Sequence, residues 1–451
     1  MSTSFARIRE LQRALDAGET NAVVLTEQAL SRIADPAGEG ATAFISVYQD
    51  QALAAARASD ILRAAGLARS ALEGIPISIK DLFDYKGDVT RGASALLKDA
   101  PAATSNATLV DRLQAAGAII IGRTNMTEFA FSGIGINPHY GTPRAPWDRE
   151  HGRIPGGSSS GAGVSVSDGM AVAAIGTDTG GSIRIPAAFC GITGFKPTAD
   201  RIPSEGVMPL SHSLDSSGPL ARSVECCALV DAVLSGEPEP TLTRLDPKQL
   251  RFIAPTNYVL NQADDKVKTD FAAALAKLKA QGVHIDEVEI PELDQLPYIN
   301  RTGGFVCAEA WFYHQENIEQ HEDLYDPRVA SRILRGKSQT SADYIELQQT
   351  RQQWIAQMEA LLASYDGMLM PTTPLLPPTI AELVADEDEF FRANGLILRN
   401  PAIVNFLNGC ALSLPCHAAD TAPVGFMIAA PAYHDSELLN VGHTIESLLH
   451  S

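Results

Sequence analysis

The sequence predicts an α/β protein in which one large, twisted, mixed β-sheet is flanked by helices on both faces, with a layer of N-terminal helices added. Two segments, residues 107–121 and 264–290, each combine a helical pattern, a glycine and a short apolar strand. Isoleucine occupies every second position from Ile75 to Ile79, as in a strand. Helices that alternate with short apolar strands are typical of a sheet covered by helices.

The N-terminal layer, residues 1–70, is predicted from three helical patterns. Apolar residues recur at helical spacing from Phe5 to Leu15, and this pattern ends at a glycine shortly afterwards. Two further helices are predicted over residues 22–33 and 50–65. We expect these helices to pack on the main body of the protein.

Composition restricts the partners of the chain. Of its 451 residues 45% are hydrophobic, which is enough for a large core, and the formal net charge is −19. An acidic chain is a poor binder of nucleic acids and of anionic membranes, and no apolar run reaches the ~18 residues of a membrane span. The six cysteines are scattered without metal-ligand spacing, so we expect free thiols, a cytoplasmic location and no metal or other cofactor.

Glycine and serine are concentrated between Gly156 and Gly194. This segment of 39 residues contains ten glycines, whereas the average of the chain, 35 in 451, would supply about three. Glycine is favoured where the backbone turns tightly or approaches another group closely. Two of the turns contain serines, GGSSSG at 156–161 and TGGSIR at 179–184. Such turns can bring a serine nucleophile next to backbone N–H groups that stabilise an oxyanion.

Lys80 lies in apolar surroundings that are unusual for a lysine. It follows the alternating isoleucines and precedes Leu82 and Phe83 in GIPISIKDLFDYKG, residues 74–87. Such a lysine either reaches solvent from the edge of the sheet or is buried with a lowered pKa, and in the second case it can act as a base near neutral pH. From these neighbours alone both interpretations stay open.

Three interpretations of the glycine-rich segment compete. A phosphate-binding loop would need GxxxxGK[ST], or a strand followed by GxGxxG, and neither pattern is present. The GSSSG of residues 157–161 matches the GxSxG nucleophile elbow with Ser159 as nucleophile, but charged residues at 148–153 replace the strand that an elbow requires. The third interpretation is a serine assisted by a lysine; no lysine has SxxK spacing, so the lysine comes from elsewhere, and Lys80 has suitable surroundings.

These motifs together resemble the amidase signature family of serine hydrolases. The resemblance rests on Lys80 in PISIKDLFD, on PGGSSSG at 155–161 and on GTDTGGSIRIPAAFCGITGFKPT at 176–198. It extends to RTNMTEFAFSG, SLDSSGP, DGMLMPTTP and, near the C-terminus, LSLPC and APVGFMIAAPA. It therefore covers nearly the whole chain and implies the amidase signature fold.

By this resemblance Ser182 is the nucleophile, Ser158, after a cis peptide bond, is the bridging serine, and neutral Lys80 is the base. Ser182 would attack an amide carbonyl, ammonia or an amine would leave, and water would cleave the acyl-enzyme. The oxyanion is expected to be held by backbone N–H groups of the second turn: Thr179, Gly180 and Gly181, together with that of Ser182.

Residues of the substrate pocket are inferred from the same resemblance. The candidates are Met126, Phe129, Asn137, Asp178 and Arg184. Two roles are open for Asp178 and Arg184. They form an ion pair that braces the loop, or the guanidinium of Arg184 grips a substrate carboxylate as a bidentate fork.

The resemblance implies a small amide as substrate, with ureido and carboxylated amides among the candidates. The main alternative is the glutaminase-type A subunit of a tRNA-dependent amidotransferase, which residues 332–344 also resemble, although Ile185 stands where that subunit typically has glutamine. Allophanate is disfavoured because the helix near residues 303–313 lacks the expected arginine. A non-catalytic scaffold would have no reason to keep the three catalytic residues.

The resemblance also implies one amidase domain over residues 1–451. It is divided into the helical layer over 1–70, a catalytic core over 74–200 and a remainder of sheet, helices and pocket elements over 250–451. We expect a homodimer, for which the N-terminal helices could supply an interface, and a small accessory subunit is a further candidate partner.

Overall fold

The computed structural model describes residues 6–450, which contain one mixed β-sheet of eleven strands in the order β1-β3-β2-β4-β6-β5-β10-β11-β9-β7-β8. The strands are β1 (Phe44–Val47), β2 (Pro76–Lys80), β3 (Ile119–Thr124), β4 (Ala173–Thr177), β5 (Thr193–Lys196), β6 (Ser217–Ala221), β7 (Arg251–Pro255), β8 (His284–Val288), β9 (Gly367–Pro371), β10 (Cys410–Pro415) and β11 (Gly425–Ala430). The predicted fold class, an α/β protein with a large mixed sheet, is confirmed.

Two parallel blocks flank an antiparallel middle. Strand β2 pairs in parallel with β3 and β4, and β7 pairs in parallel with β8 and β9. The strands between these blocks pair antiparallel, and β1 closes one edge antiparallel to β3. The block around β2 positions the site, because the carboxyl ends of parallel strands lie at the same edge of a sheet.

Sixteen α-helices lie within residues 6–450. They are α1 (Ile8–Asp16), α2 (Ala22–Ile33), α3 (Gly40–Ala43), α4 (Gln49–Ala64), α5 (Thr108–Ala115), α6 (Ser160–Ser167), α7 (Arg184–Phe189), α8 (Val224–Ser235), α9 (Asp265–Ala280), α10 (Leu296–Ile299), α11 (Gly304–His321), α12 (Pro327–Gly336), α13 (Ser341–Leu362), α14 (Ile380–Ala385), α15 (Glu387–Leu407) and α16 (Asp435–Leu449).

Helices cover both faces of the sheet, as predicted. Side chains alternate between the faces along a strand, and in β11 this alternation separates two hydrophobic clusters. Phe426 and Ile428 belong to a cluster that includes apolar residues of α1, α5, α8, α9 and α16. Met427 and Ala429 belong to a second cluster, which includes Trp354 of α13 and apolar residues of α15. The apolar character of β11 on both sides follows from burial on both faces.

The predicted N-terminal helices correspond to α1, α2 and α4. Phe5, where the first helical pattern starts, lies outside the described residues. The sequence analysis did not predict β1, a strand of four residues with only Phe44 fully buried. A strand this short is defined by its pairing, in which Phe44 lies opposite Thr124 of β3 and Val47 opposite Gly122.

Two further observations concern the described part of the chain as a whole. No helix among these residues combines the length and the apolar character that crossing a membrane requires. Over the same residues, no group of three or more histidines, cysteines, aspartates or glutamates is arranged to hold a metal ion.

Candidate active site

The three predicted catalytic residues are brought together at the carboxyl edge of the parallel block. Lys80 is the last residue of β2. The neighbouring strand β4 ends at Thr177 and leads into the turn that contains Ser182. The other serine turn precedes α6, and the N–H of Ser159 donates to the carbonyl oxygen of Ser182 at 3.3 Å. Residues about 100 positions apart in sequence thus share one site.

Lys80 is completely buried and makes no ion pair within residues 6–450. Its Nζ donates to Oγ of Ser158 at 2.7 Å and to Oγ1 of Thr177 at 2.8 Å. Burial lowers the pKa of Lys80 to about 7, although the negative charges of Asp215 and Asp178 act in the opposite direction. Of the two interpretations left open by the sequence, the structure has the buried lysine.

Ser158 is held in an unusual backbone geometry. The peptide bond between Gly157 and Ser158 is cis, as the resemblance implied. Gly157 permits close approach of a neighbouring loop, because a Cβ at this position would lie 2.6 Å from the backbone nitrogen of Gly135. The carbonyl oxygen of Ser158 accepts from the N–H of Thr127 at 3.0 Å. The hydroxyl oxygen of Ser158 lies 2.7 Å from Nζ of Lys80.

Ser182 lies at the wall of a cavity, with 3% of its surface exposed. In the described part of the chain its hydroxyl makes no hydrogen bond with Ser158. Hydrogen bonds of a catalytic site often tighten only when substrate is bound. A hydrogen bond between the hydroxyls of Ser182 and Ser158 is therefore what the connection to Lys80 needs.

Four backbone N–H groups around Ser182 were expected to hold the oxyanion, and in the structure one of the four is not available. The N–H groups of Thr179, Gly180 and Ser182 make no hydrogen bond within the part of the chain that the structure describes, so they are free to hold an oxyanion. The N–H of Gly181, which was also expected to serve this purpose, donates to Oδ1 of Asp178 at 2.8 Å. Because the N–H of Gly181 is hydrogen-bonded to this carboxylate, three N–H donors of the turn remain for an oxyanion.

The carboxylate of Asp178 holds the turn that contains Ser182 through hydrogen bonds. Its carboxylate accepts from the N–H groups of Gly181 and Ile183 at 2.8 and 3.1 Å, and from Nε and Nη2 of Arg184 at 3.0 and 2.8 Å. Burial alone would raise the pKa of Asp178, but the guanidinium of Arg184 holds it well below its ordinary value. The carboxylate is therefore charged in the folded protein and fixes the conformation of the turn that contains Ser182.

Arg184 is also completely buried, and its donors are occupied by the protein. Besides Asp178, it donates to the carbonyl oxygen of Pro401 at 3.0 Å and to Oδ1 of Asn405 at 2.7 Å. It does not line the cavity that contains Ser182. This geometry matches the bracing ion pair and leaves no donor pointing at a substrate carboxylate.

Replacing Arg184 by glutamine is expected to destabilise the protein by ~3–5 kcal/mol, because it leaves the buried carboxylate of Asp178 without its charge partner. The free energy of unfolding, measured by urea denaturation, checks this. Arg251→Gln is the matched control: it breaks the exposed pair with Asp286 and should cost less than ~1 kcal/mol. A raised KM with unchanged stability in Arg184→Gln would contradict the bracing role.

The cavity next to Ser182 has a volume of about 540 Å³. Thr179, Gly180 and Ser182 form one part of its wall, and Phe131, Phe305 and Phe406 contribute aromatic surface. Its charged residues are Arg332, Arg335 and Arg399. A cavity of this size fits a small molecule.

Three predicted pocket residues lie outside the lining of this cavity. Met126 is completely buried in a hydrophobic cluster, and Phe129 packs against the ring of His314 with ring centres 4.4 Å apart. The side-chain amide of Asn137 donates to the carbonyl oxygens of Ala93 and Met126 at 2.8 and 2.9 Å. All three lie in the layer of residues behind the cavity wall, whereas Ala130 and Phe131 of the same segment line the cavity.

The arginines of α12 are the functional candidates that the sequence analysis missed. Arg332 was noted there only as the start of a segment similar to part of an amidotransferase. No local pattern marks an arginine on a surface helix as part of a pocket. Only the packing of α12 against α11 and the loop around Phe131 places Arg332 and Arg335 in the wall of the cavity that contains Ser182.

Comparison with known proteins shows the family to which the chain belongs. The family model described as Amidase matches residues 24–439. A 2-amino-5-chloromuconic acid deaminase from Comamonas testosteroni is 36% identical over 405 residues, 88% of this chain and 87% of the relative. The A subunit of a glutamyl-tRNA(Gln) amidotransferase from Symbiobacterium thermophilum is 34% identical over 469 residues, 96% of this chain and 94% of the relative. A crystal structure described as an amidase matches with a TM-score of 0.88 at 30% identity, covering 98% of this chain and 99% of that chain.

The fold and these relatives define an enzyme that hydrolyses C–N bonds. The chain belongs to the amidase family. The family model matches most of its residues, and relatives more than 30% identical to it align over most of the length of both proteins. The resemblance drawn from the sequence motifs is thereby confirmed.

Proposed function

We propose that the protein hydrolyses the C–N bond of a small amide through an acyl-enzyme on Ser182, with Ser158 and Lys80 as the proton relay. The observation that carries this proposal is the 2.7 Å contact between Nζ of a completely buried Lys80 and Oγ of Ser158. A lysine buried without a carboxylate partner gains nothing for stability. A base near neutral pH is the use for which such a lysine is suited.

In the first half of the reaction Oγ of Ser182 attacks the carbonyl carbon. Its proton passes to Ser158, while the hydroxyl proton of Ser158 passes to Nζ of Lys80. The N–H groups of Thr179, Gly180 and Ser182 receive the negative charge that develops on the carbonyl oxygen, and one such donor is worth about 3–4 kcal/mol in serine proteases. The C–N bond then breaks, and the leaving nitrogen takes the proton back along the same relay.

In the second half water cleaves the ester on Ser182. The relay accepts a proton from the attacking water and returns a proton to Oγ of Ser182. The products are a carboxylic acid and ammonia or an amine, and the free enzyme is restored. Lys80, Ser158 and Ser182 each end the cycle in the protonation state in which they began.

The activity is expected to depend on pH through Lys80. Burial lowers the pKa of Lys80 to about 7, and the reaction needs the neutral amine, so kcat/KM should fall about tenfold for each pH unit below the pKa. A pH profile of kcat/KM from pH 5 to 9 measures this. A profile that stays flat down to pH 5 would contradict the assignment of Lys80 as base.

The proposed function is tested by ammonia release from a panel of amides. The panel contains short aliphatic amides, aryl amides, ureido acids, carboxylated amides and glutamine, with the Ser182→Ala variant as blank. Release from at least one small amide, absent in the variant, is the expected result. Equal release by the variant would contradict the acyl-enzyme. The deaminase relative is named for a small unsaturated acid, which supports a small molecule as substrate.

A second candidate function is the A subunit of a tRNA-dependent amidotransferase, and the observation that favours it is the 34% identity to such a protein. In that case the same site would release ammonia from glutamine for transfer to a partner. Glutamine would then be the only active member of the panel, and activity would require partner subunits and charged tRNA.

The compartment and the assembly belong to the same proposal. The six cysteines are free, and burial raises the pKa of thiols such as Cys190 and Cys416, which suits a reducing cytoplasm.

The exposure of apolar side chains near the end of α4 supports a homodimer through the N-terminal helices, because Ile61 is 70% exposed and Leu67 is 61% exposed. Light scattering measures the oligomeric state and would also reveal an accessory subunit. The single amidase domain over residues 1–451 stays a prediction.

A further inference from the structure

The SLDSSGP motif, residues 213–219, lies beside the turn after β4 and leads into β6. Strand β6 pairs antiparallel with β4, and Ser217 lies opposite Thr177. The pairing continues beyond the two strands: the N–H of Asp178 donates to the carbonyl oxygen of Ser216 at 2.7 Å, and the N–H of Ser216 donates back at 3.2 Å. The next residue of each segment therefore lies opposite the other.

Thr179 and Asp215 are this next pair, and their side chains are hydrogen-bonded. Oγ1 of Thr179 donates to Oδ1 of Asp215 at 2.5 Å. Thr179 makes no other hydrogen bond with any residue that the structure describes. Gly180 and Gly181 follow it, and glycine restricts the backbone less than any other residue. The contact with Asp215 is therefore the one that fixes the side chain before this flexible pair.

The two peptide groups that flank Thr179 are held differently. The carbonyl oxygen of the preceding group, that of Asp178, accepts from the N–H of Ser216 and from Nδ2 of Asn405 at 3.0 Å. In the following group, neither the carbonyl oxygen of Thr179 nor the N–H of Gly180 makes a hydrogen bond within residues 6–450. The direction of the Gly180 N–H, one of the free donors for an oxyanion, therefore depends on the conformation of Thr179.

The carboxylate of Asp215 is fixed by its own loop and charged at mildly alkaline pH. Its Oδ2 accepts from the N–H groups of Leu210 and Ser211 at 2.9 and 3.0 Å. Burial raises the pKa of Asp215 to about 6, and the negative charge of Glu309 acts in the same direction, whereas the hydrogen bonds lower it. A charged carboxylate is a stronger acceptor for the Thr179 hydroxyl than a neutral group.

The loop that contains Asp215 is anchored to two helices by Glu309 of α11. The carboxylate of Glu309 accepts from Oγ of Ser211 at 2.6 Å and from the N–H of Ser213 at 3.0 Å. It also accepts from the hydroxyl of Tyr344 of α13 at 2.6 Å. Asp215 is therefore an acceptor at a fixed position.

Asp215 does not line the cavity that contains Ser182. It lines a second cavity of about 530 Å³, and Thr179 contributes to the walls of both cavities. A substrate beside Ser182 therefore makes no contact with Asp215, and any effect of Asp215 on the reaction has to pass through another group.

We propose that Asp215 is a positioning residue, which acts through the hydroxyl of Thr179 to keep the N–H of Gly180 directed at the oxyanion. The carbonyl oxygen of the substrate becomes negatively charged only in the transition state. A misdirected donor therefore lowers kcat and leaves substrate binding nearly unchanged. This inference rests on the proposed function, and it adds a residue outside the substrate cavity to that site.

Replacing Asp215 by asparagine tests the inference, because the amide has one oxygen for three donors. At pH 8 kcat for the best amide of the panel should fall about 10- to 100-fold, less than the ~10²–10³-fold that loss of a whole oxyanion donor costs. KM should stay nearly constant. Asp231→Asn is the matched control: Asp231 is buried too, and it pairs with Arg201 at 2.9 Å. This control should lower stability and leave kcat nearly as in the wild type.

Variants of Thr179 show whether Asp215 acts through its hydroxyl. Thr179→Val removes the hydroxyl, keeps the backbone N–H and should lower kcat as much as Asp215→Asn does. Thr179→Ser keeps a hydroxyl and should retain most of the wild-type kcat. Because both changes break the same hydrogen bond, the double variant Asp215→Asn with Thr179→Val should lose no more than about threefold beyond the larger single loss. Single losses that multiply in the double variant would overturn the inference.

Failure of the inference differs from failure of the proposed function. Amide hydrolysis with an unchanged kcat in Asp215→Asn would overturn the inference alone. If Asp215→Asn does not fold, equal kcat values of Thr179→Val and Thr179→Ser would overturn it.

A fluorophosphonate gives the same comparison without an amide. Oγ of Ser182 bonds to phosphorus, fluoride leaves, and mass spectrometry follows the labelling rate. If the wild-type protein hydrolyses no amide, these rates decide: labelling at least about tenfold slower in Asp215→Asn supports the inference, and equal rates overturn it. A wild-type protein that is neither labelled nor active would overturn both the inference and the proposed function.

Discussion

Replacing Ser182 by alanine is expected to lower kcat for the best amide substrate by about 10⁶-fold, the loss that follows removal of the nucleophile in a serine hydrolase. The reason is that the acyl-enzyme cannot form, whatever the other groups of the site do. The measurement is ammonia release at saturating substrate. The fold should be intact, because the Ser182 hydroxyl makes no hydrogen bond with Ser158 within residues 6–450.

Ser159→Ala is the matched control for this experiment. Ser159 is the residue that a GxSxG elbow would use, and it lies completely buried next to Ser158. Its hydroxyl donates weakly to the carbonyl oxygen of Thr177 at 3.4 Å. This variant should keep kcat within about tenfold of the wild type. A loss as large as that of Ser182→Ala would assign the nucleophile to the wrong serine turn.

Replacing Lys80 by methionine is expected to lower kcat/KM by about 10⁴-fold, the upper range for removal of a general base. Methionine is close to lysine in length and has no amine, so the change removes the base without emptying the site. The rising limb of the pH profile near 7 should disappear in the residual activity. This second readout distinguishes loss of a base from a structural effect.

Lys196→Met controls for burial of a lysine. Lys196 is also buried, its Nζ donates to the carbonyl oxygens of Pro197 and Gly409 at 2.8 and 2.7 Å, and burial lowers its pKa to about 8. Its variant is expected to lose stability and to keep the limb near pH 7. If the limb disappeared in Lys196→Met and persisted in Lys80→Met, the two lysines would have to exchange roles.

Much of the site could be predicted because its candidate catalytic residues lie in short sequence motifs. The strand before Lys80, the two serine turns and the glycines between them are local features, and each needs only its own neighbours in sequence to be recognised. The bracing pair of Asp178 and Arg184, one of the two roles that the sequence left open, could be considered on the same basis, since the two residues lie on one turn. The triad could thus be named before the structure, although its roles await the variants above.

Prediction was less successful for the walls of the cavity. Met126, Phe129 and Asn137 belong to a segment that the motif marks as near the site, and the sequence contains no signal for which of its side chains point inward. In the structure they form the layer behind the wall. The same limit applies to Gly181, whose N–H is taken by Asp178.

By itself the sequence determined the α/β sheet, the family, and the serines and lysine that lie at the end of strands or in glycine turns, because hydrophobic period and motif spacing are local properties. Only the tertiary structure decided which backbone donors are free and which charged residues line the cavity. Arg184 is tied to Asn405, and Arg332 to Phe131, across 221 and 201 positions of the chain. Contacts over such distances depend on how helices pack, and packing is a property of the whole fold.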